Sequence, residues 1–265
     1  MKCLARIARP PLALVLALVL PVSMLGAACG GKKTVLPAGT MQADKYLFDR
    51  GTESLKKKNW IKAREYFQQL YDNYPQSPYR TDGKLGLGDA YLGDDTAESL
   101  VLAANEYREF LTFFPTNPRA DYAQYKLGCA HLAQMLKPGR DQTQTKEAIK
   151  EFETFMEHYP NSSLMPDARQ KLREARDRLD DHYFGVGLYY FRAKWYPGAI
   201  DRLREILKID PEYTRRDAVY YYLGECFIKI DRKAEALPLF ERLVNEFERS
   251  EYLSKAQLRI KELKG

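Results

Sequence analysis

Residues 51–75 read GTESLKKKNWIKAREYFQQLYDNYP, and within them Ala63, Phe67 and Pro75 follow Gly51 by 12, 16 and 24 places. The same ladder recurs as Gly187, Ala199, Leu203 and Pro211, and as Gly224, Ala236 and Phe240 with Glu248 in the proline's place. Two further copies are stretched between glycine and alanine: Gly88 to Ala103, Tyr107 and Pro115 by three residues, and Gly128 to Ala148, Phe152 and Pro160 by eight. The physics of the ladder is a helix–turn–helix. The glycine lets the first helix approach the second, the alanine does the same from the other side, and the large residue four places on lies on the alanine's face and fills the gap. The proline cannot continue a helix and opens the next unit. The pattern predicts helices over 43–56 and 60–73, 80–92 and 98–113, and 118–136 and 145–158. It continues with 166–193 as one long rod, then 195–208, 216–230 and 233–247, and 251–263 as an end cap. No segment reads as a strand.

This spacing resembles the tetratricopeptide repeat, whose usual period is about 34 residues. The expected fold is therefore all-α, a tetratricopeptide solenoid of about five helix–turn–helix units closed by a C-terminal capping helix. Units one to three would occupy 43–160, and units four and five, with the long connecting helix and the cap, 161–265. The polar loop 137–145 is expected before the second helix of unit three, with Asp141 or Thr143 able to cap that helix.

The chain has 265 residues, 45% of them hydrophobic and 29% charged, which excludes a disordered chain and a multi-span membrane protein. Four cysteines exclude a disulfide-dense scaffold. The net charge of +6 falls to +3 beyond residue 28, a mixed solvated surface that does not point to nucleic acid as a partner.

Residues 1–28 read as a secretory signal: Lys2, Arg6 and Arg9 precede the apolar run 12–20, and Gly26, Ala27 and Ala28 lead into Cys29. A transmembrane anchor is the competing reading; Pro10, Pro11 and Pro21 interrupt the run, and no cluster of stop-transfer charges follows. The segment 25–29, LGAAC, resembles a bacterial lipobox, although Gly26 stands where the pattern prefers Leu and Leu25 lies one place early. That resemblance implies acylation of Cys29, with chains sufficient to anchor a folded domain. Gly30 in place of Asp implies outer-membrane sorting by the same resemblance. Residues 29–42 read as the lipidated start and a flexible tether.

No catalytic or metal-ligating constellation can be assembled. His131, His158 and His182 stand in no ligand spacing, no phosphate-cradling loop or nucleophile elbow is present, and no cofactor is expected. His131 is expected in the core, and Cys129 and Cys226, beside the packing glycines, as buried thiols. The 19 Tyr, 12 Phe and 2 Trp are more informative. Phe48, Leu85, Tyr125, Phe184 and Tyr221 each stand three residues before a ladder glycine, and Tyr122 and Phe191 share their face by helical spacing. They either pack between neighbouring units or, by resemblance to other tetratricopeptide arrays, line a concave groove suited to an extended peptide with aromatic residues. A carboxylate clamp for chaperone tails is excluded, because Phe48 and Thr52 occupy the positions that would need Lys and Asn.

The lipobox, the tether and the repeats together resemble the BamD family, the lipoproteins of the outer-membrane β-barrel assembly machinery. The closest motifs are Gly139-Arg140-Asp141-Gln142, then Ala148, Ile149 and Phe152, then His158-Tyr159-Pro160-Asn161-Ser162. In unit one Phe67, Leu70, Tyr74, Pro75, Ser77 and Tyr79 are family-like, whereas Gly93-Asp94-Asp95-Thr96 and the short C-terminal cap depart from the pattern. The resemblance implies a non-enzymatic role at the periplasmic face of the outer membrane. N-terminal units would receive C-terminal signals of unfolded barrel proteins, and C-terminal units would dock on the POTRA domains of the barrel-forming subunit. Other assembly lipoproteins are further candidate partners. Arg202 matches a basic residue linked in the family to that docking; an ordinary surface ion pair is its alternative. A scaffold for another envelope complex, in polysaccharide export or cell-wall machinery, is the alternative function.

Overall fold

The computed structural model describes residues 42–265; the signal, Cys29 and the tether lie outside the described residues. Eleven helices and no strand are present among the described residues, all within one compact unit. In order they are α1 Ala43–Lys56, α2 Trp60–Asn73, α3 Arg80–Asp94, α4 Ala97–Phe113, α5 Ala120–Ala133 and α6 Thr143–His158. They continue as α7 Met165–Arg192, α8 Tyr196–Ile209, α9 Arg216–Lys229, α10 Lys233–Glu246 and α11 Leu253–Lys264. The tetratricopeptide solenoid expected from the ladder is the fold observed. Each helix packs on its chain neighbours, and α1 also meets α3, α5 meets α7, and α7 meets α9. The odd-numbered helices therefore form the inner layer and the even-numbered helices the outer one.

The ladder explains the hairpins atom by atom. A β-carbon on Gly51, Gly88, Gly128, Gly187 or Gly224 would lie 2.6–2.8 Å from Phe67, Tyr107, Phe152, Leu203 or Phe240 respectively. Those five large side chains, and the alanines four residues before each, are buried. Packing at this distance requires hydrogen at the glycine Cα, so the ladder glycine sets the separation of the two helices in every unit.

Every short inner turn closes in the same way. Lys58, Asp95, Lys194 and Asp231 all adopt positive φ, and each stands seven residues after its ladder glycine. In three of these turns the next amide donates back across the helix end: Asn59 to Ser54 (2.8 Å), Trp195 to Tyr190 (3.0 Å) and Arg232 to Phe227 (2.9 Å). This is the left-handed helix stop that satisfies orphan carbonyls. In unit two the three extra residues do not lengthen the turn, as the spacing suggested. Asp95 holds the usual place, Thr96 caps α4 by accepting from the Ser99 amide, and the addition becomes an extra turn at the start of α4.

In unit three the eight extra residues do form a loop, and it is ordered by its own amides. Gln142 is buried and donates to the Lys137 and Arg140 carbonyls, both at 3.0 Å, while Thr145 donates to Gln142. Asp141 accepts from the Thr143 amide at 3.0 Å, a turn that leads into α6. The cap position is Gln142 and carries no side-chain cap bond, which corrects the expected capping by Asp141 or Thr143: the helix starts two residues earlier than the spacing suggested. The Nδ1 of His182 lies 2.6 Å from the Pro138 carbonyl and ties the loop to α7.

A second repeat joins one unit to the next. Ser77, Ser162 and Ser250, in the loops that leave α2, α6 and α10, donate to Asp44, Asp121 and Asp217 at 2.7, 2.7 and 2.6 Å. Each hydroxyl also accepts the amide two residues on, from Tyr79, Leu164 and Tyr252, and so shapes the entry to the following odd helix. Tyr213 and Arg215 make the comparable joint in unit four by donating to Asp181, and Arg119 does so in unit two by pairing with Asp82.

Candidate partner-binding surfaces

A residue three before a ladder glycine shares the glycine's face, and that geometry decides most of the aromatic set. The rings of Phe48, Tyr125 and Tyr221 sit 6.1–6.2 Å from the ladder rings of Phe67, Phe152 and Phe240, tilted by 56–65°. Phe48 then stacks on Tyr79 and Tyr221 on Tyr252, the residues that lead into the next odd helix. These three are half-buried between units. Leu85 and Phe184 are 1% and 3% exposed and belong to the core, which corrects any groove role for them: their helix face is covered by its partners. Phe191 is half-buried against Tyr196 and Tyr222.

Two of the half-buried aromatics, Tyr122 and Tyr125, lie on α5 with their hydroxyls held by carboxylates. The Tyr122 hydroxyl donates to both oxygens of Asp89 (2.8 and 2.9 Å), as Tyr107 does to one of them (2.7 Å). Tyr125 donates to Asp167 across to α7. Burial, and then these carboxylates, push both the Tyr122 and Tyr125 phenols far above the ordinary tyrosine range, so they remain neutral donors. Two lysines, absent from the sequence-based set, frame these rings. Lys126 lies over Tyr122 and 3.8 Å from Asp89, and Lys171 lies 3.9 Å from Asp167. Both pairs are longer than hydrogen bonds, so each ammonium keeps donors for an anionic group. The spacing of Tyr122 and Lys126, one helical turn apart on α5, was the available signal.

Arg202 is exposed on α8, and its ion-pair partner among the described residues is Glu205 at 3.7 Å. It lines a cleft with Tyr183 and Ile209, both exposed, over Ile206.

The remaining polar groups have structural partners. His131 is buried with Nδ1 2.7 Å from Gln144, as its place in the ladder predicts. Cys226 is buried and its thiol is pushed up to about 12, by burial first and then by the charge of Glu225. Cys129 is only partly buried, a correction to the expected core thiol, because α5 turns it toward the Tyr125 edge. Lys84 is buried between Glu106 and Glu109 (2.5 and 2.6 Å) and lies over the Tyr71 ring. Among the described residues no group of three or more His, Cys, Asp or Glu is arranged to hold a metal, and no helix is long and apolar enough to cross a membrane.

A relative from Caulobacter vibrioides, named outer membrane protein assembly factor BamD, is 26% identical over 85% of this chain and 73% of its own. Relatives of the same name from Vibrio cholerae (26% identical, 63% of this chain and 72% of its own) and Neisseria gonorrhoeae (23%, 79% and 81%) also align. Among solved structures, the chain is similar to the TPR2AB domain of yeast Sti1 in its pHSP90 complex. That match has a TM-score of 0.47 and 12% identity, over 83% of this chain and 82% of that one. The MamA protein matches with a TM-score of 0.35 and 16% identity, over 78% and 93%. A tetratricopeptide repeat model matches residues 218–250. The model of the YfiO outer membrane lipoproteins matches residues 40–227, most of the helical array, and the chain is a member of that family.

Proposed function

We propose that this protein is an assembly factor for outer-membrane β-barrels, a BamD-type lipoprotein that holds other polypeptides and performs no bond chemistry. Acylation of Cys29 would moor it to the outer membrane with the helical array on the periplasmic side. The observation that carries the client-binding reading is the inner face of α5. Aromatic rings of Tyr122 and Tyr125 lie beside Lys126 and Lys171, whose paired carboxylates among the described residues are 3.8 and 3.9 Å away. Rings with adjacent ammonium groups match an extended chain that ends in an aromatic residue and a free carboxylate, the chemistry of a barrel protein's C-terminal signal. Phe48, Phe191 and Tyr221 are half-buried aromatics on α1, α7 and α9 that offer a client further ring edges. Arg202, exposed and weakly paired on α8, is positioned to meet an acidic group on the POTRA domains of the barrel-forming subunit.

Affinity purification from detergent-solubilised membranes tests the reading. The barrel-forming subunit should come down with the intact chain and be lost with Arg202→Glu. Its absence from the intact chain's partners, with a polysaccharide-export or cell-wall complex in its place, would reject the assignment. A peptide ending in Phe should bind at least five-fold more weakly to Lys126→Gln/Lys171→Gln, at unchanged helicity, and the amidated peptide should be indifferent to that change.

A further inference from the structure

We propose that the edge of the array carrying the inner turns rests on the anionic surface of a lipid bilayer, with the rings of Tyr189 and Trp195 at the level of the headgroups. Each inner turn follows the end of an odd-numbered helix, so the turns succeed one another along one edge. Three of the five turns are basic. Residues 54–64 hold Lys56, Lys57, Lys58, Lys62 and Arg64, and none of them is an acid. Residues 131–140 likewise hold Lys137 and Arg140 without an acid, and residues 182–200 hold Arg192 and Lys194 without one. Lys57 is paired with Glu53 and Arg64 with Asp94; the other bases of these segments form no ion pair among the described residues. The α3–α4 turn departs from the pattern with Asp94 and Asp95, the former held by Arg64 and Ser99, and the α9–α10 turn is mixed.

Apolar surface is exposed at the same turns. Tyr189 is 69% and Trp195 56% exposed, yet neither ring hangs free. Trp195 meets Tyr190 edge to face at 4.8 Å, Tyr190 meets Tyr189 at 5.8 Å, and a β-carbon on Gly198 would lie 2.7 Å from the indole. The indole is thus held in place while more than half of it stays open. Ile61 (63%) precedes Lys62 and Leu136 (49%) precedes Lys137, so aliphatic surface stands beside cations at the other two turns. These features select a bilayer over a folded partner. Trp and Tyr join an apolar body to a polar edge and favour the boundary between water and lipid. The contacts are small and spread over the turns of three units, as a continuous charged plane requires, and lysines and arginines at such a plane are drawn to anionic headgroups. The proposal rests on acylation of Cys29, to which a basic, aromatic edge adds the second attachment that a stable membrane hold needs. Chain length permits both: α1 begins at the opposite edge and its 14 residues span about 21 Å, whereas residues 30–41 can reach about 40 Å.

Fluorescence of the acylated full chain, reconstituted into vesicles, tests the contact. The chain has two tryptophans, and Trp60→Phe leaves Trp195 as the reporter. In phosphatidylcholine vesicles containing one quarter phosphatidylglycerol, brominated acyl chains should quench Trp195 at least two-fold. That loss should be at least halved in pure phosphatidylcholine, and also in Lys56→Gln/Lys58→Gln/Arg192→Gln/Lys194→Gln at unchanged helicity. The difference between the parent and Trp195→Phe gives the same reading should Trp60→Phe lose helicity. Equal quenching with and without anionic lipid, quenching that survives loss of the four cations, or no quenching would overturn the proposal. Shielding of Trp195 only when the barrel-forming subunit is added would also overturn it, by assigning the turns to a partner polypeptide. Flotation with the vesicles reads the anchor separately. A chain that floats with Trp195 unquenched removes the edge contact alone, and one that does not float removes the acylation reading as well.

Discussion

Gly51 and Phe67 are in such close contact that a β-carbon on the glycine would lie 2.6 Å from the ring's Cε1. Gly86 of the next unit approaches Cε2 of the same ring equally closely, so consecutive units are keyed on one side chain. Overpacking of this kind costs about 1–3 kcal/mol, against about 1 kcal/mol gained in helix propensity. Gly51→Ala should therefore be a net loss of about 1 kcal/mol by these scales in urea unfolding. Gly185 on α7 has nothing within 4 Å of its β-position. There the propensity gain stands alone, and Gly185→Ala should stabilise by about 0.5–1 kcal/mol.

The left-handed turn residues invite the opposite substitution. Lys194 has φ 61°, a conformation that costs a residue with a β-carbon roughly 1–2 kcal/mol. Part of that is recovered by Gly, which loses more chain entropy on folding. Lys194→Gly should raise stability by about 0.5–1 kcal/mol, and Lys194→Val should lower it. Thermal melts of the two variants beside the parent read both directions.

The serine–aspartate joints predict a coupling. Ser162 donates to Asp121 across 41 residues of chain, and hydrogen bonds to a charged acceptor contribute about 1.5–3 kcal/mol when buried. This joint is half-exposed, so Ser162→Ala should cost about 1 kcal/mol, with Asp121→Ala largely non-additive to it in a double-mutant cycle. Full additivity would mean that the serine acts only on the Leu164 amide.

The cluster at the α7–α8 junction makes stability depend on pH. Asp180 is raised to about 8, by burial and then by Asp210. A raised carboxyl contributes stability that is complete below its ordinary range near 3.8 and is lost as pH rises through about 8. Asp210 is lowered: burial opposes its charge, but hydrogen bonds from Arg173, from Asp180 and from the Glu212 amide outweigh it. Its contribution is present above the ordinary range and is lost only in stronger acid. Above about pH 4 the Asp210 contribution is constant, and Asp180, with Glu106 that burial also raises, carries the change, so the comparison with a variant isolates Asp180. Asp180→Asn should gain on the parent between about pH 4 and 8, by about 2 kcal/mol at the upper end. Parallel stability curves would refute the assignment.

The helix pairs were legible because the ladder is a local constraint repeated with one phase. Observed boundaries fall within three residues of those expected, including the 28-residue α7. The binding surface was less legible. Phe48, Leu85 and Phe184 stand at equivalent places in the ladder, yet Phe48 keeps a partly open edge while the other two are closed. Which outcome holds depends on the residue that the next unit lays against each of them, a contact more than 25 positions away.

The amino-acid order alone determined the class of fold, the five hairpins and the sites where glycine must stand, since each follows from contacts within some 25 residues. Only the tertiary arrangement decided which charges are shared between units. Asp44 and Ser77, Asp180 and Asp210, and Tyr125 and Asp167 are partners because the stacking of helices brings distant side chains together. Burial at those joints then sets their protonation, a property of the surrounding dielectric that no spacing along a chain encodes.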